Sequence, residues 1–440
     1  MEGTSADEVS LTAESSPTTD QTFGVPETSI LDYTPIFNPD PRKLGIDLRV
    51  QRSERIIKLL VIVTVYSEPG HMLTSTLNAV AANVAGLDRK GWSWENIMVL
   101  VVVDGLEKAS ASLLKVAEEK MGLMHSSALQ GQALRGKTVV HLFESTRDFA
   151  LNDAVLPTRA SRKHRLRWAN GAQTTQRVQM AFCLKARNGG KLNSHMWGML
   201  GIARLLNPKY VMTIDVGTVP VPSNFVALMT RMEDNPDIGG AAGEIVPAMY
   251  NRCNGTAAAQ DFEYWASSFL DKATEAFFGY ISVLPGALSV YRWSAMLGPP
   301  LASYFKLESM PAADISPFSA NLYLAEDRIL AFNILAKKDK AWFLDFVPDA
   351  VAYTDVPEQL DSLVKQRRRW TNGALFNLIY YLMNVDVSLL AGCMRRTPTL
   401  CVLLRAVAFL ICSQFRQEDH VLPLSHVQHG LCFTQLYCSG

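Results

Sequence analysis

The sequence lacks a long uncharged apolar run and any excess of one charge. A membrane-spanning helix needs about 18 to 20 consecutive apolar residues. The nearest candidate, TLCVLLRAVAFLIC at 399–412, is shorter and carries Arg405 at its centre, so we interpret it as interfacial or buried rather than spanning. Lys plus Arg and Asp plus Glu both number 42 in 440 residues. This neutral balance argues against a nucleic-acid binder that relies on bulk charge.

Paired cysteines and a targeting signal are also missing. The seven cysteines are scattered and none has CxxC spacing, so neither a disulfide framework nor a structural zinc site is indicated. We interpret them as reduced, cytosolic-side thiols. No Lys or Arg precedes Arg42, and no apolar stretch typical of a signal peptide is present there. The acidic, Ser/Thr-rich composition predicts a disordered tail over residues 1–45.

Short apolar runs rich in β-branched residues begin after this tail. KLLVIVTVY (58–66) and IMVLVVVDG (97–105) have the composition of strands buried on both faces of a parallel sheet. Between them, apolar residues from Leu73 to Val84 recur at helical spacing, as expected for a crossover helix. Strand, helix and strand in this order predict an α/β fold with a doubly wound, mainly parallel sheet flanked by helices.

The rest of the chain continues in the same alternation. We predict further strands at 138–143, 210–217, 238–246 and 281–292, with two short ones in WFLDFV and VAYTD. Helices are predicted at 173–185, 194–206, 260–278 and 321–338, and over EQLDSLVKQRRRW. These elements predict one catalytic domain over residues 46–380 that ends in interfacial, amphipathic helices. Residues 381–440 hold the apolar segment and a tail without a clear pattern.

Acidic side chains follow three of the predicted strands. Glu68, Asp104 and Asp215 stand at or just past the strand ends, where ligands bind in open α/β sheets. A turn residue without a ligand is the alternative, because Asp is common in turns and Asp104 precedes a glycine. On its apolar strand, Asp215 would be costly unless it were solvated, paired or bound to a metal. One carboxylate suffices for Mg²⁺ if a diphosphate supplies further oxygens.

A second acidic feature is the pair Glu326 and Asp327 in a predicted amphipathic helix. A carboxylate that faces a cleft can accept a proton from an attacking hydroxyl and so act as a general base. The alternative is an ordinary solvated helix face.

The segment QRRRW combines three arginines with a tryptophan. On a helix, Gln366, Arg369 and Trp370 stand at i, i+3 and i+4, so we expect them to share a face while Arg367 and Arg368 point elsewhere. An arginine fork matches phosphate oxygens, and an indole offers a flat surface on which a sugar ring can stack. A solvated basic turn is the alternative.

In this order the motifs resemble the chitin synthases, which are processive inverting glycosyltransferases with a GT-A type core. The resemblance covers about residues 55–380. The matching stretches are TVYSE, VVVDG, KLNSHMW, TIDVGT, QDFEYW, VLPGALSVYRW, AEDRIL and QRRRW. Each motif is weak alone, but eight in the family's order indicate the family.

The resemblance implies a role for each matching residue. The uridine site would be lined by Thr64, Tyr66 and Glu68, and the nucleotide would also be bound by Asp104. Lys191 would lie near the diphosphate, and Asp215 would hold Mg²⁺ or Mn²⁺ against it. The donor and acceptor region would be shaped by Gln260, Glu263 and Tyr264. Asp327, beside Glu326, would be the base, while the leaving diphosphate and the acceptor sugar would be secured by Gln366, Arg368, Arg369 and Trp370.

The implied reaction transfers N-acetylglucosamine from UDP-N-acetylglucosamine to the 4-hydroxyl of a growing β-1,4 chain, with inversion and release of UDP. The implied partners are this donor, a chitin oligomer and a second copy in a homodimer. The implied location is the plasma membrane with the catalytic domain on the cytoplasmic side, or the cytoplasm if the chain is truly this short. Cellulose and hyaluronan synthases usually show DxD where this chain has DVG.

The sequence departs from the family's pattern in two places. Val219 follows DVGT, where the family usually has a polar residue. Beyond QRRRW the family continues into membrane spans that form the polymer channel, which residues 381–440 do not resemble. We therefore expect a truncated or mis-spliced gene model or a fragment, with a soluble paralogue as a further reading. The alternative function is a non-catalytic or regulatory relic that binds a UDP-sugar.

Overall fold

The computed structural model describes residue 28 and residues 30–133, 138–151, 175–248 and 254–384. Within these residues, ten strands form one sheet in the order β1-β4-β5-β3-β2-β6-β9-β8-β10-β7. The strands are β1 Leu31–Ile36, β2 Leu59–Val65, β3 Ile97–Val103, β4 Val140–Ala150, β5 Thr175–Lys185, β6 Tyr210–Asp215, β7 Val219–Pro220, β8 Ile238–Pro247, β9 Leu288–Arg292 and β10 Phe343–Thr354.

The sheet is mixed but mainly parallel. The four central strands β5, β3, β2 and β6 are mutually parallel, as are β8 and β10. Only β4, β9 and β7 run against this direction, because each is antiparallel to its neighbours. The predicted α/β class with a mainly parallel sheet is confirmed.

Helices and short turns connect the strands. The α-helices are α1 Arg49–Arg52, α2 Gly70–Asp88, α3 Ala111–Lys115, α4 Ser126–Ala133, α5 Lys191–Met196, α6 Arg204–Leu206, α7 Asn224–Asp234, α8 Gly255–Ala266, α9 Ala273–Phe277, α10 Trp293–Met296, α11 Pro299–Tyr304, α12 Pro317–Leu322, α13 Glu326–Leu335 and α14 Leu360–Asn384. Wider π-type stretches extend three of them at Val116–Lys120, Trp197–Ala203 and Ser267–Lys272.

Each face of the sheet carries its own hydrophobic core. Alternate residues of β2 divide between them, since Val61 and Val63 join one core while Leu60 and Ile62 join the other. The first core packs against α2 and α7, and the second against α5, α11 and α13. Burial on both faces explains why the central strands are continuous apolar runs. Their carboxyl ends are thereby fixed side by side.

Several predicted elements have different bounds. The two strands expected in WFLDFV and VAYTD are one strand, β10, with an irregularity between Val347 and Val351. Of the strand predicted at 281–292, only Leu288–Arg292 is extended within the sheet. The disorder predicted for residues 1–45 is wrong at Leu31–Ile36, because this segment pairs with β4 as an edge strand.

The helix predicted at 173–185 is also wrong. Thr175–Lys185 is strand β5, which lies between β3 and β4. Its apolar residues alternate between the two cores: Met180 and Phe182 face one, and Ala181 and Cys183 face the other. This period of two is the strand signal that the helical interpretation missed.

Some sequence predictions fall outside the described residues. The apolar segment 399–412 and almost all of the predicted region 381–440 lie there, as do six of the seven cysteines. The remaining one, Cys183, is a buried free thiol. Within the part of the chain that the structure describes, no helix combines the length and the apolar character of a membrane span.

Candidate active site

The carboxyl end of β6 places Asp215 beside a hydroxyl and an ammonium group. Because β2 and β6 are parallel, Thr64 is the direct neighbour of Asp215 across the sheet. The Thr64 hydroxyl donates to Oδ1 of Asp215 at 2.8 Å, and Lys191 Nζ donates to Oδ2 at 2.8 Å. The side chains of Lys191 and Asp215 keep 36% and 37% of their surface accessible to solvent. This ion pair therefore remains within reach of a ligand.

Lys191 is the first residue of α5, directly after Gly190, whose φ of 86° turns the chain into the helix. Burial works to lower the pKa of Lys191, but the charges of Asp215, Asp327 and Glu326 outweigh burial and raise it. Burial alone would raise the pKa of Asp215, but the Lys191 charge and the hydrogen bonds from Lys191 and Thr64 bring it below its usual value. The pair is therefore charged at neutral pH.

The first turn of α13 brings Asp327 to the same place. Asp327 Oδ2 accepts a hydrogen bond from the Gly286 backbone N–H at 2.9 Å. A Cβ atom added to Gly286 would lie 2.6 Å from Lys191 Nζ and 3.1 Å from Asp327 Oδ2. Only glycine fits here without displacing one of the two charged groups. The VLPG turn therefore allows the ammonium group and the second carboxylate to approach each other.

The two acids of α13 are half-buried and do not lie on a solvated helix face. Burial raises the pKa of Asp327, Lys191 opposes this rise, and the Asp215 charge adds to it. Burial also raises the pKa of Glu326, and the adjacent Asp327 charge increases the rise. A carboxylate whose pKa lies above its ordinary value is better matched to proton abstraction.

Behind Lys191, the same helix carries a buried histidine. His195 Nδ1 lies 2.6 Å from the Tyr304 hydroxyl of α11. Burial, followed by the nearby Lys191 charge, lowers the pKa of His195 to about 3. The imidazole is therefore neutral, and it lies buried behind Lys191 without adding positive charge.

Helix α14 is fastened to the residues that precede the acids of α13. A Cβ atom at Gly373 would lie only 2.6 Å from Ala325 Cβ, so the glycine permits close contact between the two segments. The Asn377 amide donates to the Leu322 carbonyl at 2.8 Å. The residues just before Glu326 and Asp327 are therefore packed against the helix that carries QRRRW, one turn beyond Trp370.

The QRRRW segment is arranged differently from the prediction. Arg367 was expected to point away from Gln366 and Trp370, but its guanidinium lies 4.3 Å from the centre of the Trp370 ring. It also donates to Glu263 Oε2 from Nε at 3.1 Å and from Nη2 at 2.6 Å. The physical reason is that residues 367 and 370 are i, i+3 neighbours on the helix and so lie side by side. Arg368 and Arg369 are exposed.

Tyr264 and Asp355 connect this arginine with the Asp215 edge. Burial raises the pKa of Tyr264 to about 12; the Arg367 charge opposes this rise, and the Glu263 and Asp355 charges add to it. The Asp355 carboxylate would lie 2.7 Å from a Cβ atom at Gly217, two residues beyond Asp215. Tyr264 therefore lies close enough to both Arg367 and Asp355 to be influenced by their charges, and Asp355 lies against the turn that follows Asp215.

The remaining predicted residues occupy varied positions. Asp104 is buried, and its Oδ1 accepts from Lys185 Nζ at 2.6 Å and from the Gly189 N–H at 2.9 Å. Glu68 is half-buried and accepts from the Tyr66 N–H at 2.7 Å, while the Tyr66 side chain is 42% exposed. The predicted nucleotide contacts of these residues stay predictions.

Gln260 is buried and ties α8 to the loop after β10. Its amide donates to the Pro357 carbonyl at 2.7 Å and to the Thr256 carbonyl at 3.1 Å. Its Oε1 atom has no hydrogen-bond partner within the described chain. The predicted part of Gln260 in shaping the donor and acceptor region stays a prediction.

Sequence reasoning missed five residues that contribute to this arrangement. The VLPG motif contains Gly286 and the KLNSHMW motif contains His195, so both lay within motifs that were already singled out. Lys185 and Asp355 end strand-like segments, where a polar residue after an apolar run is a usable signal. The fifth is Arg367, which the helical i, i+3 relation to Trp370 should have indicated.

Comparison with known proteins identifies the class of enzyme. The model of the "Chitin synthase-like glycosyltransferase domain" family matches residues 59–385, which include all of the site residues above. The chain is thus a glycosyltransferase enzyme. It belongs to the chitin synthase family.

Similar proteins include two chitin synthases. "Chitin synthase 1" of Phytophthora sojae (strain P6497) is 36% identical over 372 residues, which are 80% of this chain and 38% of that protein. "Chitin synthase 2" of Mycosarcoma maydis is 36% identical over 339 residues, which are 74% of this chain and 30% of that protein. The aligned part of the chain thus spans well under half of the length of these relatives.

Two solved structures align with most of the chain at low identity. A mannosyltransferase of Pyrobaculum calidifontis, in complex with GDP-Man and Mn²⁺, has 12% identity and a TM-score of 0.40 and covers 87% of this chain and 86% of its own. TarS 1-349 of S. aureus has 11% identity and a TM-score of 0.35 and covers 74% of this chain and 73% of its own.

Proposed function

We propose that the chain transfers N-acetylglucosamine from UDP-N-acetylglucosamine to the 4-hydroxyl of a β-1,4-linked acceptor. The observation that carries this proposal is the Asp215–Lys191–Asp327 cluster at the carboxyl edge of the central strands. There, a solvent-accessible ion pair lies next to a second carboxylate. A cation suited to a diphosphate and a base suited to a hydroxyl are thus available in one cleft.

In the proposed reaction, the acceptor O4 attacks the anomeric carbon from the face opposite to the UDP. Asp327 takes the hydroxyl proton, the bond from the anomeric carbon to the diphosphate oxygen breaks, and UDP leaves with the bonding electrons. One displacement inverts the anomeric centre. The raised pKa of Asp327 and its hydrogen bond from Gly286 support its role as the general base.

Lys191 is the group that we assign to the diphosphate. Its ammonium charge compensates Asp215 before a ligand binds, and it can turn to the negative charge that develops on the departing UDP. A positioned charge of this kind stabilises a transition state because it needs little reorganisation during the reaction. Arg369, exposed on α14, is the second cation that we assign to this charge.

The donor atoms also fit a divalent cation. Asp215 offers carboxylate oxygens at an accessible edge, and the Asp355 carboxylate lies close to the turn after it. Mg²⁺ and Mn²⁺ prefer oxygen ligands, and Mg²⁺ is usually held by one or two carboxylates together with substrate phosphates. The described residues alone contain no cluster of three such ligands. When bound, the ion would neutralise diphosphate charge, and Asp215 would be its principal protein ligand.

The polymer and the cellular location belong to the same proposal. The chain spans well under half of the length of its chitin synthase relatives, so we assign only the donor and acceptor chemistry to this domain. We place the domain on the cytoplasmic side of the plasma membrane, with a chitin oligomer as acceptor and a second copy as partner. Fractionation with a cytoplasmic marker would test the location.

The experiment is a transfer assay with UDP-N-acetylglucosamine, Mg²⁺ and a short chitin oligomer. We expect UDP release and an oligomer lengthened by a β-1,4-linked sugar, which proton NMR identifies. UDP-glucose and GDP-mannose serve as competing donors. The Asp327→Asn variant should reduce kcat by about 10²- to 10⁴-fold.

Two results would contradict this function. Preference for another donor would remove the assigned substrate. Binding of UDP-N-acetylglucosamine without transfer, in both the wild type and Asp327→Asn, would favour the alternative of a non-catalytic binding protein.

A further inference from the structure

All three nitrogens of the Arg367 guanidinium donate hydrogen bonds. Nε and Nη2 donate to Glu263 Oε2 at 3.1 and 2.6 Å, and Nη1 donates to Gln366 Oε1 at 2.6 Å. The flat face lies over the Trp370 ring at 4.3 Å. Only 15% of the Arg367 side chain is accessible to solvent. Arg367 is therefore less available to hold a phosphate than the exposed Arg368 and Arg369.

These contacts fix the orientation of two neighbours of Arg367, namely Trp370 and Gln366. The guanidinium covers one face of the Trp370 indole, so a sugar that stacks on this ring must use the opposite face. The Gln366 carbonyl is occupied by Arg367, so its NH₂ group is the end that is left to donate to a ligand. Arg367 thus sets both the usable face of the indole and the usable end of the amide.

Glu263 restrains the Arg367 guanidinium from a different helix. It lies on α8, whereas the other three residues lie on α14, so the ion pair joins two helices through residues that are 104 positions apart in the chain. Both donors from Arg367 converge on Oε2 of Glu263, which restricts the rotation of the guanidinium plane. Its side chain is 33% exposed, so the pair is only partly screened by water.

We propose that Glu263 and Arg367 form a positioning pair that sets Trp370 and Gln366 for the acceptor sugar. The inference rests on the proposed glycosyl transfer and deepens it, because it separates the arginines of QRRRW by role. Arg367 orients its neighbours, while a grip on the diphosphate is left to the exposed Arg369. The pair acts through Trp370 and Gln366 and does not touch the reacting atoms.

The test uses two variants that preserve shape. Glu263→Gln keeps the size of the side chain but removes its charge, and Arg367→Lys keeps the charge but removes the planar fork. Each should raise the KM for the chitin oligomer about tenfold, while the affinity for UDP stays within about twofold of the wild type. The double variant should be little worse than either single one, because both remove the same interaction. Lys365→Gln, which removes an exposed cation from the same helix, is the matched control and should behave as the wild type.

A second measurement does not depend on activity. Fluorine NMR of the protein labelled with 5-fluorotryptophan gives one signal for each indole, and a Trp370→Phe variant assigns the signal of Trp370. In Glu263→Gln this signal should shift or broaden, while that of the distant Trp94 stays unchanged. If wild type and variants all lack transfer but this shift occurs, the positioning pair stands and the proposed function fails.

Three results would overturn the positioning pair. The first is a Trp370 signal that is unaffected in both single variants. The second is an additive loss in the double variant. The third is a fall in UDP affinity as large as the rise in oligomer KM, which would show that Arg367 holds the diphosphate.

Discussion

The carboxyl edge of the sheet carries two Asp–Lys pairs that differ in exposure. In the pair formed by Asp104 and Lys185 the atoms are 2.6 Å apart, and the side chains are 6% and 4% exposed. In the pair formed by Asp215 and Lys191 they are 2.8 Å apart, but 37% and 36% of the side chains remain exposed. The chemistry is the same in both. Exposure decides which pair can exchange its partner for a ligand and which must keep it.

The two pairs are connected along the chain. Asp104 also accepts the Gly189 N–H at 2.9 Å, and Gly190 directly precedes Lys191. The buried pair therefore anchors the turn from which the exposed lysine projects. The buried pair of Asp104 and Lys185 thus holds the turn in place, while Lys191 remains able to contact a ligand.

The largest effect on stability should come from Lys185→Met. This change leaves the buried Asp104 carboxylate without its cation, which costs about 3–5 kcal/mol in the free energy of unfolding. Lys191→Met breaks a pair that keeps more than a third of its side-chain surface exposed, so it should destabilise the fold less than Lys185→Met, although it should reduce transfer. Urea unfolding followed by circular dichroism measures both. Equal destabilisation by the two variants would remove the distinction between the pairs.

A smaller effect is expected from substitutions at two glycines, each of which lies close in space to one of the two lysines. A Cβ atom at Gly286 would lie 2.6 Å from Lys191 Nζ, and one at Gly189 would lie 3.0 Å from Lys185 Nζ. Gly286→Ala should lower kcat by about tenfold to a hundredfold, because small displacements in an active site are costly to rate. Gly189→Ala should lower the urea midpoint more than kcat. Steady-state kinetics and urea unfolding of both proteins check this, and the reverse pattern would contradict it.

The smallest effect is a shift in pH dependence. Because burial raises the pKa of Asp327, the base takes up its proton at a higher pH than an ordinary aspartate, whose pKa is about 3.9. Transfer should therefore be complete above this raised pKa and be lost as pH falls through it. A profile of kcat against pH, with circular dichroism to show that the fold persists, measures the acid limb. A limb at the ordinary value would show that Asp327 is not the base.

The central sheet could be predicted because its strands are buried on both faces. A strand such as Leu59–Val65 is then almost continuously apolar, and its short length and β-branched residues favour a strand over a buried helix. β5 was mistaken for a helix because its polar start obscured the alternation that follows. β1 was missed because an edge strand needs little apolar surface, and its partner β4 lies more than a hundred residues away.

The candidate site was predictable where it follows from the ends of strands. Asp215 was expected at the sheet edge and Asp327 was a candidate base on its helix, while the family resemblance added Lys191; the structure brings the three together. The partners of charged groups could not be predicted. Asp104 and Lys185 are 81 residues apart in the chain, and Glu263 and Arg367 are 104 apart. Such pairs are set by the packing of distant elements, which local patterns do not encode.

The central claim is that the exposed pair handles the diphosphate while Asp327 acts only on the acceptor. Calorimetric titration of UDP with Mg²⁺ into the wild type, Asp215→Asn and Asp327→Asn tests it most directly. We expect Asp215→Asn to weaken the Mg²⁺-dependent binding at least about tenfold, and Asp327→Asn to leave it nearly unchanged. An equal loss of UDP affinity in both variants would contradict the division of roles.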